Sequence, residues 1–140
     1  MTKPVLPPVY RDVRRLLVHT EAMVQQFSRY HKYTVGTDLR QQAMRLMRGV
    51  HRAAYDREHL PDHVRNLVWW VDDYKLTLQL AMDVGAFRQG ARGQSHFAAF
   101  ETAVELAAVI GKQCGGWHQA INRTARSSGG SRDVTSGPKS

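Results

Sequence analysis

An all-α fold, an antiparallel up-down four-helix bundle, is predicted by three features of the sequence. Apolar residues recur at three- and four-residue steps in four successive stretches. Glycine- or proline-bearing breaks separate those stretches, and connections this short favour antiparallel neighbours. No segment alternates with the period of two that a half-buried strand requires. A chain of 140 residues is one domain's worth and can bury a core without disulfides or metal staples.

The elements follow in order. Residues 1–8 carry three prolines, which fix φ and remove donors, so an extended arm is expected there. The first helix runs from Val9 to Lys32 on the stripe Val13, Leu16, Leu17, Thr20, Met23, Val24, Phe27 and Tyr30. The break Tyr33-Thr34-Val35-Gly36 ends it, and Thr37 or Asp38 caps the second helix. That helix places Leu39, Ala43, Leu46, Met47, Val50, Ala53 and Ala54 on one side. Pro61 suits the first turn of the third helix, with Asp62 near its positive end. The third helix continues through Val64, Leu67, Val68, Val71, Tyr74, Leu78, Ala81 and Met82 until the glycine-rich segment Gly85 to Gly93. Ser95 caps a fourth helix from His96 to about Arg126, and residues 127–140 form a Ser/Gly-rich flexible tail. The bundle thus spans residues 9–126.

Two helices are apolar on more than one side. Trp69, Leu76, Leu80 and Phe87 make a second row on the third helix. The fourth carries Phe100, Val104, Ala107, Gly111, Cys114 and His118 in one row, and Ala103, Leu106, Ile110 and Trp117 in another. One bundle core needs one stripe per helix. The surplus therefore serves either as subunit contacts of a homo-oligomer, through Trp69, Leu76, Leu80, Leu106, Ile110 and Trp117, or as a wide, deeply buried central pair.

The formal net charge is +8 and unevenly placed: residues 1–60 hold eleven Lys/Arg against five Asp/Glu. Such a field attracts polyanions, although a basic surface also aids solubility. Arg11, Arg14 and Arg15 share one face of the first helix, and Arg29 returns to it; Arg45, Arg48 and Arg52 recur on the second, with Arg40 close to the same line. Arginine's planar fork suits phosphate, and a line of it can follow a nucleic-acid backbone without reading sequence. Tyr10, Tyr30 and Tyr33 lie near this basic half, where they either stack on bases or join the core boundary.

Catalytic chemistry finds no constellation. Asp72 and Asp73 point about 100° apart on a helix and do not converge. His59 and His63 are the closest histidine pair, but Pro61 between them is expected to break the helix that would align them, so no metal site is expected. Cys114, the single cysteine, sits on an apolar stripe without a base, as an inert thiol does. Gly85, Gly90 and Gly93 follow no strand, so they cradle no phosphate. The chain is expected to be a non-enzyme without cofactors. One cysteine, no apolar run long enough for a membrane span and no signal peptide place it in the cytoplasm.

Three segments carry a family resemblance: Phe27-Ser28-Arg29-Tyr30-His31-Lys32-Tyr33-Thr34-Val35-Gly36 with Thr37-Asp38-Leu39-Arg40; Leu76-Thr77-Leu78-Gln79-Leu80-Ala81-Met82-Asp83; and Ile110-Gly111-Lys112-Gln113-Cys114-Gly115-Gly116-Trp117. Over residues 10–122 the chain resembles the accessory variability determinant (Avd) proteins of diversity-generating retroelements, within the bacterial four-helix-bundle proteins. The resemblance implies a basic, barrel-like homopentamer. It also implies binding to the retroelement's reverse transcriptase and to RNA or DNA in mutagenic reverse transcription, with no activity of the protein's own. Gly111, Gly115 and Gly116 would let helices approach closely in such an assembly. The residues after Arg126 depart from the family pattern. The alternative is a stand-alone basic scaffold that binds an acidic protein partner.

Overall fold

In a computed structural model, which describes residues 5–88 and 96–135 and side chains as far as residue 127, the regular elements are all helical. Helix α1 spans Val9–Gln25, a single turn α2 spans Arg29–Lys32, and α3 spans Val35–Tyr55. A 3₁₀ turn, Arg57–His59, leads directly into α4, Leu60–Asp83, and α5 covers Phe97–Thr135. The long helices pack in a ring, α1 on α3, α3 on α4, α4 on α5 and α5 on α1. Each contributes one periodic stripe to a shared core: Val13, Leu16 and Val24; Leu39, Leu46 and Val50; Leu67, Val71 and Leu78; Ala103, Ala107 and Ile110. No helix among the described residues is long and apolar enough to cross a membrane.

The first helix is shorter than its apolar pattern predicts. The helix from Val9 to Lys32 breaks at residues 26–28, because Ser28 adopts an extended backbone (φ −58°, ψ 159°) and restarts the chain as α2. The bend drives Phe27 into the core, where its ring meets the edge of Phe87 at 5.0 Å and 86°. Helix α3 begins at Val35, two residues ahead of the expected caps, with Thr34 as the flanking residue. The Thr34 hydroxyl is not a cap; it donates to the carbonyl of Tyr30 at 2.8 Å. At the other end of the chain α5 runs past Arg126 to Thr135, so the expected tail begins as helix. Extending an existing helix adds one hydrogen bond per residue fixed, and no proline interrupts before Pro138. Residues 1–4 of the arm, the Ser95 cap, Gly90, Gly93 and residues 136–140 lie outside the described residues.

Pro61 does sit in the first turn of α4. At its other end Gly85 takes φ +86°, its N–H reaches the Met82 carbonyl at 3.1 Å, and the Ala86 N–H reaches the Ala81 carbonyl at 2.9 Å. This doubly bonded left-handed cap ends α4 and turns Ala86 and Phe87 inward. At Gly49 the side chains of α4 press against the backbone of α3. A Cβ there would stand 2.8 Å from both Leu67 Cδ2 and Trp70 Cζ3.

One polar pair crosses the core. The Thr20 hydroxyl donates to the Leu16 carbonyl at 2.7 Å, which leaves the Tyr74 hydroxyl to donate to Thr20 Oγ1, also at 2.7 Å. Burial pushes the Tyr74 phenol up to about 12. The folded state therefore holds that proton more tightly than the unfolded chain does. This contribution is full below about pH 10 and is lost as pH rises through about 12. Tyr74→Phe is expected to cost about 1 kcal/mol at neutral pH, because Thr20 keeps its bond to Leu16. It should also remove this part of the alkaline loss, which denaturant titrations at neutral and alkaline pH would measure.

Candidate nucleic-acid interface

All eight arginines that the sequence marks for phosphate contact, Arg11, Arg14, Arg15, Arg29, Arg40, Arg45, Arg48 and Arg52, are exposed. The seven on α1 and α3 reach the surface because the buried stripes occupy the opposite sides of those helices. They do not form one continuous line. Arg40 leans to α1, where its Nε donates to Glu21 Oε1 at 2.9 Å. Arg45 leans the other way, to α4, donating to Asp73 Oδ2 at 3.1 Å with its guanidinium 4.8 Å from the centre of the Trp70 ring. The two positions are five residues apart, about 140° around the helix, so they bracket the solvent face and do not share it. The acids that engage them come from neighbouring helices, which the composition of α3 alone does not show. Arg15 lies 3.9 Å from Asp12 Oδ1, a carboxylate that also accepts from Gln113 Nε2 on α5 at 2.6 Å. Arg29 belongs to α2, and the break at residues 26–28 removes it from the azimuth of Arg11, Arg14 and Arg15.

Among the described residues, Arg11, Arg14, Arg29, Arg48 and Arg52 carry no ion pair. Arg48 and Arg52 stand one turn apart on α3. Arg11 and Arg14 flank the exposed Val18 on α1 in a shallow hollow completed by Arg15, His19 and Ala22. His19 is spoken for, since its Nε2–H donates to the Ala99 carbonyl at 2.8 Å and ties α1 to α5. Of the tyrosines, Tyr30 and Tyr33 are exposed, and with Leu80 and Val84 they line a groove between α2, the start of α3 and the end of α4. Tyr10 packs against the core edge.

The residues expected at a subunit contact divide. Trp69, Leu76 and Leu80 are 60%, 72% and 53% exposed and form a ridge along the outer face of α4, continued by Val84. Arg65, one turn before Trp69, sits 5.8 Å from its ring centre. Ile110 is fully buried in its own bundle and offers nothing to a second copy. Leu106 and Trp117 are partly buried against the same core. Phe87 is not part of the ridge, because the Gly85 cap has turned it inward.

The glycines divide as well. A Cβ on Gly111 would stand 2.9 Å from Lys75 Nζ and 3.5 Å from Val71 Cγ1, so α4 does approach closely there. Gly115 and Gly116 face open space within 4 Å. Cys114 is fully buried, and burial pushes its thiol up to about 11, so it is a poor nucleophile at neutral pH.

His59 and His63, set aside because of Pro61, come together. A proline in the first turn of α4 interrupts no hydrogen bond, so the chain keeps its helical course across it. His59 Nδ1 and His63 Nε2 both donate to Asp56 Oδ2, at 3.0 and 2.9 Å. Those bonds, led by the one from His63, hold the Asp56 carboxyl below its ordinary range. The readable signal is the spacing Asp56, His59, His63, which repeats the three-then-four step of one helical face.

Against known proteins, no family model, no curated protein and no solved structure matches the chain.

Proposed function

We propose that the chain is a non-enzymatic accessory subunit of a diversity-generating retroelement, binding nucleic acid through the arginines of α1 and α3 and assembling as a homo-oligomer. The observation that carries the nucleic-acid part is the exposure of all eight arginines, five of them without an ion pair among the described residues. Arg48 and Arg52 are the primary phosphate contacts, Arg11 and Arg14 a second pair, and Arg40 and Arg45 contribute after release from Glu21 and Asp73. Exposed ion pairs of this kind hold about 0–1 kcal/mol, so a phosphate displaces the carboxylate readily. The reverse transcriptase, the template RNA or DNA and the pentameric, barrel-like form rest on the family resemblance. The antiparallel course of the helices rests on the three-residue turn between α3 and α4.

The Trp69–Leu76–Leu80 ridge supports the self-contact, since exposed apolar residues at seven- and four-residue steps form one continuous strip on a helix. Leu76→Glu with Leu80→Glu is expected to leave the fold intact, because both side chains already face solvent, and to convert the assembly to a monomer in sedimentation at micromolar concentration. A wild-type chain that sediments as a 15.9 kDa monomer would remove the oligomer. The net charge of +8 favours a second reading, a stand-alone basic scaffold that docks an acidic protein. Co-purification with a reverse transcriptase encoded beside the gene decides between the two.

A further inference from the structure

We propose that the corner between α3 and α4 is a binding site for a divalent transition metal such as Zn²⁺, formed by Asp56, His59 and His63 with Glu58 as a fourth donor. The site is independent of the nucleic-acid reading. Its donors come from a short, fixed stretch of chain. Asp56 flanks the C-terminus of α3, Glu58 and His59 lie in the 3₁₀ turn, and His63 is in the first turn of α4. No long-range rearrangement is needed to bring them together.

The distances suit an ion. Asp56 Oδ2 is already 3.0 Å from His59 Nδ1 and 2.9 Å from His63 Nε2. Single ligand atoms of Asp56, Glu58 and His59 all lie within 4.8 Å of one another, and His63, outside that group, is joined to it through Asp56 Oδ2. Four donors about 2.0–2.1 Å from a tetrahedral ion stand roughly 3.3 Å apart. Rotation of the Glu58 and His63 side chains toward His59 would complete the set. The rings sit edge to face with centroids 6.4 Å apart, so neither stacks across the other's nitrogens.

The donor chemistry selects the class of ion. Two imidazoles and two carboxylates favour Zn²⁺, Ni²⁺ or Cu²⁺, whereas Mg²⁺ and Ca²⁺ require oxygen ligands throughout. Two carboxylates balance the 2+ charge and the imidazoles bind neutral. On binding, each ring nitrogen that donates to Asp56 gives up its proton, which moves to the other nitrogen of the ring or leaves to solvent. Binding consequently weakens under acid. The ion would bridge the last turn of α3 to the first turn of α4 and lock the corner.

The test titrates chelator-treated full-length protein with ZnCl₂ in a calorimeter, with MgCl₂ in parallel, and follows the thermal midpoint. One equivalent of Zn²⁺ with a raised midpoint, and no response to Mg²⁺, is expected. His59→Gln and His63→Gln keep a donor for Asp56, so the corner should hold. Each should lower zinc affinity by at least roughly tenfold, the lower edge of what losing a mere supporting group already costs. His51→Gln, at an exposed ring stacked on Tyr55, should change nothing. Absence of zinc binding, or full affinity in the His59→Gln/His63→Gln pair, overturns the site. Should a variant lose its fold, ring-nitrogen NMR of the wild-type chain decides. Zinc-induced shifts confined to His59 and His63 support the site, and shifts confined to other histidines overturn it.

Discussion

Replacing Arg45, Arg48 and Arg52 together with glutamine is expected to weaken binding of single-stranded RNA about a hundredfold at ~0.1 M salt without unfolding the bundle. The magnitude follows from counterion release. Each phosphate contact given up forfeits roughly 0.7–0.9 of a unit in the slope of log affinity against log salt, hence about that many decades at ~0.1 M. Three lost contacts should flatten the slope by about 2, measured by titration across a salt series. The fold should survive because all three side chains are exposed. Only Arg45 leaves partners behind, Asp73 and Trp70, and both sit at the surface or its edge. Arg40→Gln alone should do less, since Glu21 already competes for that guanidinium. Unchanged affinity and slope in the triple variant, with helical content retained, would move the site elsewhere on the molecule.

The sequence carried the helices better than their ends or their polar partners. Periodicity located the core stripes because burial of one face is what fixes a helix in a bundle, and Leu16, Leu46, Leu67 and Ile110 are all fully buried. It missed the break before Ser28, because Phe27 keeps the helical spacing while its ring turns inward to meet Phe87. It placed Phe87 on an outer row because the left-handed turn at Gly85 rotates everything after it. The arginines were legible as exposed positions on α1 and α3, which follows from lying opposite apolar stripes. Their partners were not, since Glu21 and Asp73 belong to other helices and approach only once the ring of helices closes. The His59–His63 pair escapes the sequence for a narrower reason. Pro61 reads as a helix breaker, whereas in a first turn it replaces a donor that has no acceptor to meet.

Gly115→Ala with Gly116→Ala should separate the stability of one bundle from that of its assembly. Neither glycine has a positive φ, so alanine fits the backbone. A Cβ at either site meets nothing within 4 Å in its own copy. Within a single copy the double change can only favour the helix, by up to about 1 kcal/mol per site. That gain corresponds to a rise of roughly 6 °C in the melting midpoint of a domain this size. A homo-oligomer packed on this strip gives the opposite result. If a neighbouring copy's helix lies against the open strip at residues 115–116, two methyl groups wedge the backbones apart. The assembly then dissociates in sedimentation while the released monomer melts higher than the Leu76→Glu/Leu80→Glu monomer. A variant that keeps its association state and simply melts later would show that the pair faces solvent, leaving the Trp69–Leu76–Leu80 ridge as the self-contact. Gly111 provides the contrast within the same helix. Lys75 Nζ stands 2.9 Å from where its Cβ would be, and the flexible end of that lysine can move aside. Gly111→Ala should therefore shift stability by less than the pair does and leave association unchanged, because the space it would fill belongs to its own chain.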